Sequence, residues 1–250
     1  MPDLPKDYFK TWGHGDLVCL DMDSTVCVDE SINEYSKMLG KFHEIQALTN
    51  SAMNGDMKFE ESFKKRLETM APTKEDFEQF LKNREKLTYQ NKLITNGVSH
   101  FVATLRRQGV HVCLLTGGFY EIAEMVAKFI GMEARPGFET LKSGKTDVML
   151  CGGVSLPPTI YANQLIFDET GKYNGLIDSP VSRAGGKPDV IKSLVEKFDF
   201  KNIVMIGDGA TDLEAKSELV TFIAFTEHVK REAVVEEADF EMASFCSQEN

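Results

Sequence analysis

Asp21 and Asp23 stand out as residues that could do chemistry. They follow the apolar run of residues 17–20, and two hydroxyl residues come directly after them. A carboxylate without a partner is costly to bury, so a buried strand that runs into two acids needs a reason. Taken alone, this loop is equally well explained as a helix cap or as a catalytic site, because Asp, Ser and Thr commonly open helices.

Two later apolar strands also end at small polar clusters. One runs into Thr116, Gly117 and Gly118, and the other runs into a segment that holds Asp208 and Asp212. Taken singly, each cluster would be an ordinary turn or a helix cap. The carboxyl ends of neighbouring parallel strands meet at one edge of a sheet, which is where open α/β folds bind ligands. We therefore expect the three clusters to form one site.

These residue types fit magnesium-dependent phosphoryl transfer. Several carboxylates in a small space repel each other, and Mg²⁺ relieves that repulsion while it completes its shell with substrate phosphate. Glycine pairs let backbone N–H groups approach phosphate oxygens, and Lys187, which follows Gly185 and Gly186, adds a cation. An Asp nucleophile divides the reaction into formation and hydrolysis of an aspartyl-phosphate. A second Asp can protonate the leaving oxygen.

Alternating strand and helix patterns predict an α/β fold. The first strand is expected at residues 16–22, and from residue 97 onward apolar strands alternate with helical spacing. Such alternation is typical of right-handed βαβ units, so we predict a doubly wound, mostly parallel sheet. Residues 161–167 and 173–177 have the pattern of a hairpin, within a peripheral excursion at about residues 135–180.

A helical segment interrupts this alternation. Between the first acidic cluster and residue 86 the apolar residues keep helical spacing, with a capping box expected at Ser31 and a further helix start at Thr73. We therefore predict an α/β core formed by residues 1–27 and 87–250. An inserted helical bundle, residues 28–86, would follow the first cluster.

Composition and charge narrow the set of partners. The net charge of −11 argues against nucleic acid and anionic membranes, which bind clustered Lys and Arg. No apolar run approaches the roughly 20 residues that span a bilayer. The N-terminus lacks the apolar core of a secretion signal, and the five cysteines have no CxxC spacing. We expect reduced core cysteines and a cytoplasmic location.

Four motifs, in order, resemble those of the haloacid dehalogenase superfamily. They are Asp21-Met22-Asp23-Ser24-Thr25, Thr116-Gly117-Gly118, Lys187 and Gly207-Asp208-Gly209-Ala210-Thr211-Asp212. More narrowly, the chain is similar to the phosphoserine phosphatases of that superfamily, through Glu30, Met53, Gly55, Phe59, Arg66 and Gly186-Lys187. The resemblance covers nearly the whole chain outside residues 135–160, a segment to which no role is assigned.

The resemblance implies a role for each motif residue. Asp21 would be the nucleophile and a Mg²⁺ ligand, and Asp23 would be the general acid and base and would give the metal its main-chain carbonyl. Asp208 would be the second carboxylate ligand, with Asp212 holding the metal's water shell. The phosphoryl group would be bound by Thr116, Gly117, Gly118 and Lys187, with Thr211 near the bound substrate.

The resemblance also implies a function for the helical segment, as a mobile cap that closes over a Rossmann-like core. Glu30 would pair with the substrate's ammonium group and Arg66 with its carboxylate, while Met53 and Phe59 would pack against its small side chain. The implied activity is hydrolysis of O-phospho-L-serine to serine and phosphate, the last step of serine biosynthesis.

Two alternative functions stay open. One is a phosphatase of the same fold for another small phosphomonoester, such as phosphoethanolamine. The other is a non-catalytic phosphate-binding regulator. The oligomeric state is also open, with a homodimer among the alternatives. Taken singly, Glu30 and Arg66 would be ordinary solvated helix charges.

Overall fold

Strands make up the centre of the molecule. A computed structural model describes residues 16–53, 57–133, 135, 150–151, 154–155 and 157–246. Within these ranges the strands are β1 (Leu17–Leu20), β2 (His111–Phe119), β3 (Leu150–Cys151), β4 (Val154–Ser155), β5 (Ile160–Asn163), β6 (Leu165–Phe167), β7 (Tyr173–Leu176), β8 (Ile203–Gly207), β9 (Val220–Phe225) and β10 (Phe240–Met242). Six of them form one parallel sheet in the order β10-β9-β8-β1-β2-β5.

Helices connect and cover these strands. In the described ranges they are α1 (Ser31–Met38), α2 (Phe42–Met53), α3 (Phe59–Met70), α4 (Lys74–Tyr89), α5 (Val98–Arg107), α6 (Tyr120–Phe129), α7 (Gly186–Phe198), α8 (Ala210–Leu213) and α9 (Glu232–Glu237). A short 3₁₀ turn, Pro180–Ser182, precedes α7. None of the described helices combines the length and the apolar character needed to cross a membrane.

The sheet is buried on both faces, which confirms the predicted α/β fold class. Along β1, Val18 and Leu20 join one apolar layer and Leu17 and Cys19 join the other, because successive side chains point to opposite faces. Helices α5 and α6 pack on the first face, and α7 packs on the second. Strands covered on both faces carry the continuous apolar runs that the sequence shows.

Four helices, α1 to α4, follow one another between β1 and β2 with no strand between them. The helix start predicted at Thr73 is confirmed, since its side chain caps α4 and pairs reciprocally with Asp76. The division into a core and an inserted cap stays a prediction.

Two strands differ from the sequence-based expectation. The first strand ends at Leu20, because the chain turns tightly through Met22–Val26 with Ser24 at a left-handed φ of 56°. The strand predicted at residues 161–167 is divided, so that Ile160–Asn163 joins the central sheet beside β2 and Leu165–Phe167 pairs with β7. The hairpin is therefore shorter than predicted, and much of the remaining excursion lies outside the described residues.

The cysteines with described side chains are all free. Cys19, Cys27 and Cys113 are buried in the core, as predicted. Cys246 is exposed, so the prediction of a core position is wrong for that residue. The side chain of Cys151 lies outside the description.

Candidate active site

Three buried carboxylates meet at the carboxyl edge of the sheet. Asp21 follows β1, and Asp208 and Asp212 follow β8, its neighbour in the sheet. Asp21, Asp208 and Asp212 each offer one carboxylate oxygen, and these atoms lie within 4.8 Å of one another. The adjacency of two parallel strands thus joins clusters that are far apart in sequence.

Lys187 lies between two of these acids. Its Nζ donates to Asp21 Oδ1 at 2.7 Å and to Asp212 Oδ1 at 2.5 Å, and the residue is only 5% exposed. Burial alone would lower the pKa of Lys187, but the charges of Asp21 and Asp212 outweigh that effect and raise it. The ammonium group therefore stays charged beside the candidate nucleophile.

Glycines bring Lys187 and Asp212 into place by close backbone packing. A Cβ atom on Gly186 would lie 1.8 Å from the carbonyl oxygen of Pro180, so only glycine lets α7 begin there. A Cβ atom on Gly207 would lie 2.3 Å from Cγ of Asp212. The Gly209 N–H also donates to Asp212 Oδ2 at 3.0 Å, and burial raises the pKa of Asp212 against the opposing charge of Lys187.

Asp23 has a different environment from Asp21. Its Oδ2 accepts from Ser31 Oγ at 2.8 Å, and its Oδ1 accepts from the Ser31 N–H at 3.2 Å. Burial, followed by the charges of Glu30 and Asp21, raises the pKa of Asp23 to about 8, although the Ser31 hydrogen bonds act in the other direction. A carboxyl group that is protonated near neutral pH can act as a general acid.

This contact also corrects one sequence-based expectation. The predicted capping box at Ser31 is wrong, since α1 begins after Glu30 with no side-chain cap. The Ser31 hydroxyl is used instead as a donor to Asp23. A residue type that usually caps helices here orients a candidate catalytic acid.

Thr116, Gly117 and Gly118 lie beside the acids, at the end of β2. The Gly118 N–H donates to Thr116 Oγ1 at 2.9 Å. A Cβ atom on Gly118 would lie 2.6 Å from Cε of Met22 and 3.2 Å from Asp23 Oδ2, so the loop packs directly on the first motif. Thr116 is 1% exposed, and the hydrogen of its hydroxyl can be donated to a bound anion.

The helical segment places two of its predicted residues near this site. A Cβ atom on Gly117 would lie 3.9 Å from Cζ of Phe59, so the start of α3 reaches the Thr116 loop. Arg66 also lies in α3. Its Cζ atom is 5.5 Å from the ring centroid of Phe63, and the residue is 9% exposed. Its Nε has no hydrogen-bond partner among the described residues. The side chain of Met53, at the end of α2, lies outside the described part of the chain.

Burial and the charge of Glu30 have opposite effects on the pKa of Arg66. Burial lowers the pKa of Arg66, and the neighbouring charge of Glu30 raises it, so the two side chains interact electrostatically. Glu30 Oε1 accepts from Ser24 Oγ at 3.5 Å and from Arg231 Nη2 at 3.3 Å. Thr211 is half-buried in α8, between Asp208 and Asp212 in the chain.

Arg231 is a residue of the site that the sequence reasoning missed. It forms an ion pair with the Asp208 carboxylate and donates to the Asp208 main-chain oxygen at 3.2 Å. The same guanidinium contacts Glu30. No motif surrounds it, so only its position after β9, another strand of the parallel sheet, could have indicated it.

The sequence reasoning also missed Thr95 and His228, which hold the loop of the first motif in place by hydrogen bonds. Thr95 Oγ1 donates to the main-chain oxygen of Thr25 at 2.6 Å, so His228 Nε2, 2.8 Å away, must be the donor to Thr95. Thr25 Oγ1 in turn donates to Asp208 Oδ1 at 3.4 Å. This chain of hydrogen bonds fixes the loop that carries Asp21 relative to Asp208.

The three carboxylates have the chemistry of a divalent-cation site. Hard oxygen donors are the ligands that Mg²⁺ prefers, and buried carboxylates this close repel one another unless positive charge is present. Lys187 and Arg231 supply part of that charge. The donor set of Asp21, Asp208 and Asp212 therefore fits a metal ion.

The doubly wound sheet defines a Rossmann-like α/β protein with an aspartate-rich site at the carboxyl edge of the sheet. The chain belongs to the haloacid dehalogenase-like hydrolase family, whose family model matches residues 16–216. It is 33% identical to the phosphoserine phosphatase of Homo sapiens, over 94% of this chain and 92% of that protein.

Solved structures share the fold. A phosphoserine phosphohydrolase-like protein from Francisella tularensis subsp. tularensis SCHU S4 is 25% identical with a TM-score of 0.69, over 93% of this chain and 97% of that one. The structure of DsGPDH of Dunaliella salina is 27% identical with a TM-score of 0.73, over 98% of this chain but 37% of that one. The same fold thus also occurs within a much longer chain.

Proposed function

We propose that this protein is a Mg²⁺-dependent phosphoserine phosphatase that hydrolyses O-phospho-L-serine to serine and phosphate. The observation that carries the proposal is the buried contact of Lys187 with Asp21 beside Asp208 and Asp212. This contact supports the proposal, because a candidate nucleophile, a cation and carboxylates that could bind Mg²⁺ lie close together. The similarity to phosphoserine phosphatases supports the choice of substrate class.

In the first step, an Asp21 oxygen attacks phosphorus and the bond from phosphorus to the serine oxygen breaks. Asp23 gives its proton to that oxygen, which the raised pKa of Asp23 favours. In the second step, Asp23 takes a proton from a water molecule that attacks the aspartyl-phosphate. The bond from phosphorus to Asp21 then breaks, and phosphate leaves with both carboxyl groups restored.

Residues at the start of α7 and the end of β2 would offset the charge on the phosphoryl group. Lys187 would neutralise its oxygens, and Thr116 and Gly117 would donate hydrogen bonds to them. Asp21, Asp208 and the main-chain carbonyl of Asp23 would hold the metal, with Asp212 ordering its water shell. When bound, Mg²⁺ supplies further positive charge beside the phosphoryl oxygens.

The amino-acid end of the substrate would be recognised by the helical segment. Arg66 is buried and its Nε has no partner in the described ranges, so the carboxylate of a substrate would satisfy a group that is costly to leave unpaired. Glu30 would bind the ammonium group in exchange for its contact with Arg231. Phe59 and Met53 would enclose the small side chain while residues 28–86 close as a cap.

The two alternatives make different demands on these residues. A phosphatase for phosphoethanolamine would need Glu30 but not Arg66, because that substrate has no carboxylate. A non-catalytic regulator would need neither Asp21 as a nucleophile nor a protonated Asp23. A cytoplasmic location and a homodimer stay predictions.

Release of phosphate from a set of small phosphomonoesters, with and without Mg²⁺, tests the proposal. We expect Mg²⁺-dependent turnover of phosphoserine by the wild type. Replacement Asp21→Asn removes the nucleophile, so turnover should fall by at least about 10³-fold. Asp199→Asn makes the same change at an exposed position and should leave turnover unchanged. Near-normal turnover in Asp21→Asn would rule out the aspartyl-phosphate mechanism.

A further inference from the structure

Asn163 is a fully buried polar residue that the proposed chemistry does not use. It ends β5, opposite Phe119 in the register with β2. Its Nδ2 donates to the main-chain oxygen of Gly117 at 2.8 Å and lies 3.5 Å from that of Val181. Both neighbours are carbonyl oxygens, so the amide nitrogen must face them.

The first contact holds the peptide group between Gly117 and Gly118. The carbonyl of this peptide accepts from Asn163, and its N–H donates to Thr116 Oγ1 at 2.9 Å. Hydrogen bonds at both ends hold the plane of this peptide in one orientation. Because Thr116 Oγ1 already accepts one hydrogen bond, its own hydrogen is directed to another acceptor, such as a phosphoryl oxygen.

The second contact reaches the turn that precedes the helix of Lys187. Val181 belongs to the 3₁₀ turn Pro180–Ser182, against which the start of α7 packs at Gly186. A Cβ atom on Gly117 would lie 3.7 Å from the Val181 oxygen, so the turn and the Thr116 loop are neighbours. One amide group therefore contacts the loop that carries Thr116 and the turn on which the helix of Lys187 begins.

Asn163 is an unfavourable choice for packing alone. Its Oδ1 is buried and has no hydrogen-bond partner among the residues that the structure describes. An unpaired buried oxygen destabilises a fold, and an apolar side chain of similar size, such as leucine, would avoid that penalty. A residue that destabilises the fold at its own position is expected where the functional site needs it.

We propose that Asn163 is a positioning residue for phosphoryl transfer. Its amide fixes the peptide between Gly117 and Gly118, so that the Thr116 hydroxyl is held as a donor at a set spacing from Lys187. This inference rests on the proposed phosphatase function and adds a residue to it. The competing explanation is that Asn163 only ties β5 to its neighbours.

Replacement Asn163→Leu tests the proposal, because leucine keeps the size and removes the donor. We expect kcat for phosphoserine to fall about 10- to 100-fold, since small misplacement of a catalytic group has effects of this size. KM should change by less than about threefold, because the helical segment binds the other end of the substrate. Asn83→Leu, on the exposed face of α4, is the matched control and should keep the wild-type kcat.

A double replacement separates positioning from a structural role. If Asn163 acts through the Thr116 hydroxyl, Asn163→Leu combined with Thr116→Val should lose no more kcat than the worse single variant. A structural defect would instead add to the loss from Thr116→Val. Inhibition by orthovanadate, which adopts the geometry of the transition state, should weaken in parallel with kcat in Asn163→Leu.

These experiments distinguish failure of the inference about Asn163 from failure of the proposed phosphatase function. A wild type that releases no phosphate would overturn the phosphatase itself. An active wild type with near-normal kcat in folded Asn163→Leu or Asn163→Ala would overturn only the role of Asn163, as would additive losses. If neither variant folds, Asn163 is required by the fold and the inference is also overturned.

Discussion

Asp21 and Asp23 are separated by one residue, yet their carboxyl groups have different partners. Asp21 contacts the ammonium group of Lys187. Among the described residues, the hydrogen-bond donors to Asp23 are the uncharged N–H and hydroxyl groups of Ser31, and Asp23 lies near the negative charge of Glu30. Burial and the negative charge of Glu30 raise the pKa of Asp23, which favours a protonated carboxyl group there. This difference supports the proposed roles of Asp21 as nucleophile and Asp23 as general acid.

Arg66 gives a prediction at the same scale. Replacement Arg66→Ala should lower kcat/KM for phosphoserine by about 10²-fold or more, because a bidentate contact with the substrate carboxylate is lost. Turnover of phosphoethanolamine, which has no carboxylate, should change little. Parallel kinetics on the two substrates measure the difference, with Lys64→Ala, exposed on the same helix, as the control. Equal losses on both substrates would contradict the assigned role of Arg66.

At the scale of elements, the end of β2 faces the site and its beginning is held by a histidine. His111 Nε2 donates to the main-chain oxygen of Pro158 at 2.7 Å, and the ring stacks on Phe200 with centroids 5.8 Å apart. Burial lowers the pKa of His111 to about 4; the hydrogen bond to Pro158 opposes this shift, and the charges of Arg135 and Arg106 add to it. The native state therefore holds this imidazole neutral.

Because this imidazole is neutral in the native state, we expect the free energy of unfolding to fall in acid. The pKa of His111 is about 4 in the native state and about 6.5 in the unfolded chain, so the unfolded state binds more protons between those values. The destabilisation is absent above about pH 6.5, grows as the pH falls and amounts to about 3 kcal/mol of lost stability near pH 4.

Urea unfolding at several pH values measures this effect. In His111→Gln, which keeps a donor for Pro158 but cannot titrate, the free energy of unfolding should fall less between pH 6.5 and pH 4. His100→Gln, at an exposed position, should follow the wild type. Identical pH dependence in the wild type and His111→Gln would refute the prediction.

At the scale of the whole molecule, the three buried carboxylates predict that Mg²⁺ stabilises the fold. A ligand at 100 times its Kd that binds only the native state adds about 2.7 kcal/mol. In a chain of this size that corresponds to a rise in Tm of roughly 5–10 °C. Thermal unfolding in Mg²⁺ and in EDTA measures the difference.

Variants locate the origin of that stabilisation. Asp208→Asn should lose most of the Mg²⁺-dependent rise in Tm, and the exposed control Asp199→Asn should keep it. A wild-type Tm that does not respond to Mg²⁺ would contradict a metal site at the triad. This readout does not depend on turnover, so it separates metal binding from catalysis.

The sequence by itself determined the strands, their polar ends and the order of the motifs. Apolar runs bounded by Asp21, Thr116 and Asp208 are local patterns, and the rule that parallel strands present their carboxyl ends together is general. These features can therefore be predicted without a structure. The α/β class and the convergence of the acids follow from them.

Only the tertiary structure decided which partners the side chains have. Ser31 donates to Asp23 rather than capping its helix, Asn163 holds the Gly117 carbonyl, and Arg231 joins Asp208 to Glu30. Each of these contacts joins residues from separate elements, and those of Asn163 and Arg231 span more than 20 positions in sequence. Local spacing carries no information about such contacts, because packing of the whole chain decides which donors and acceptors are buried together.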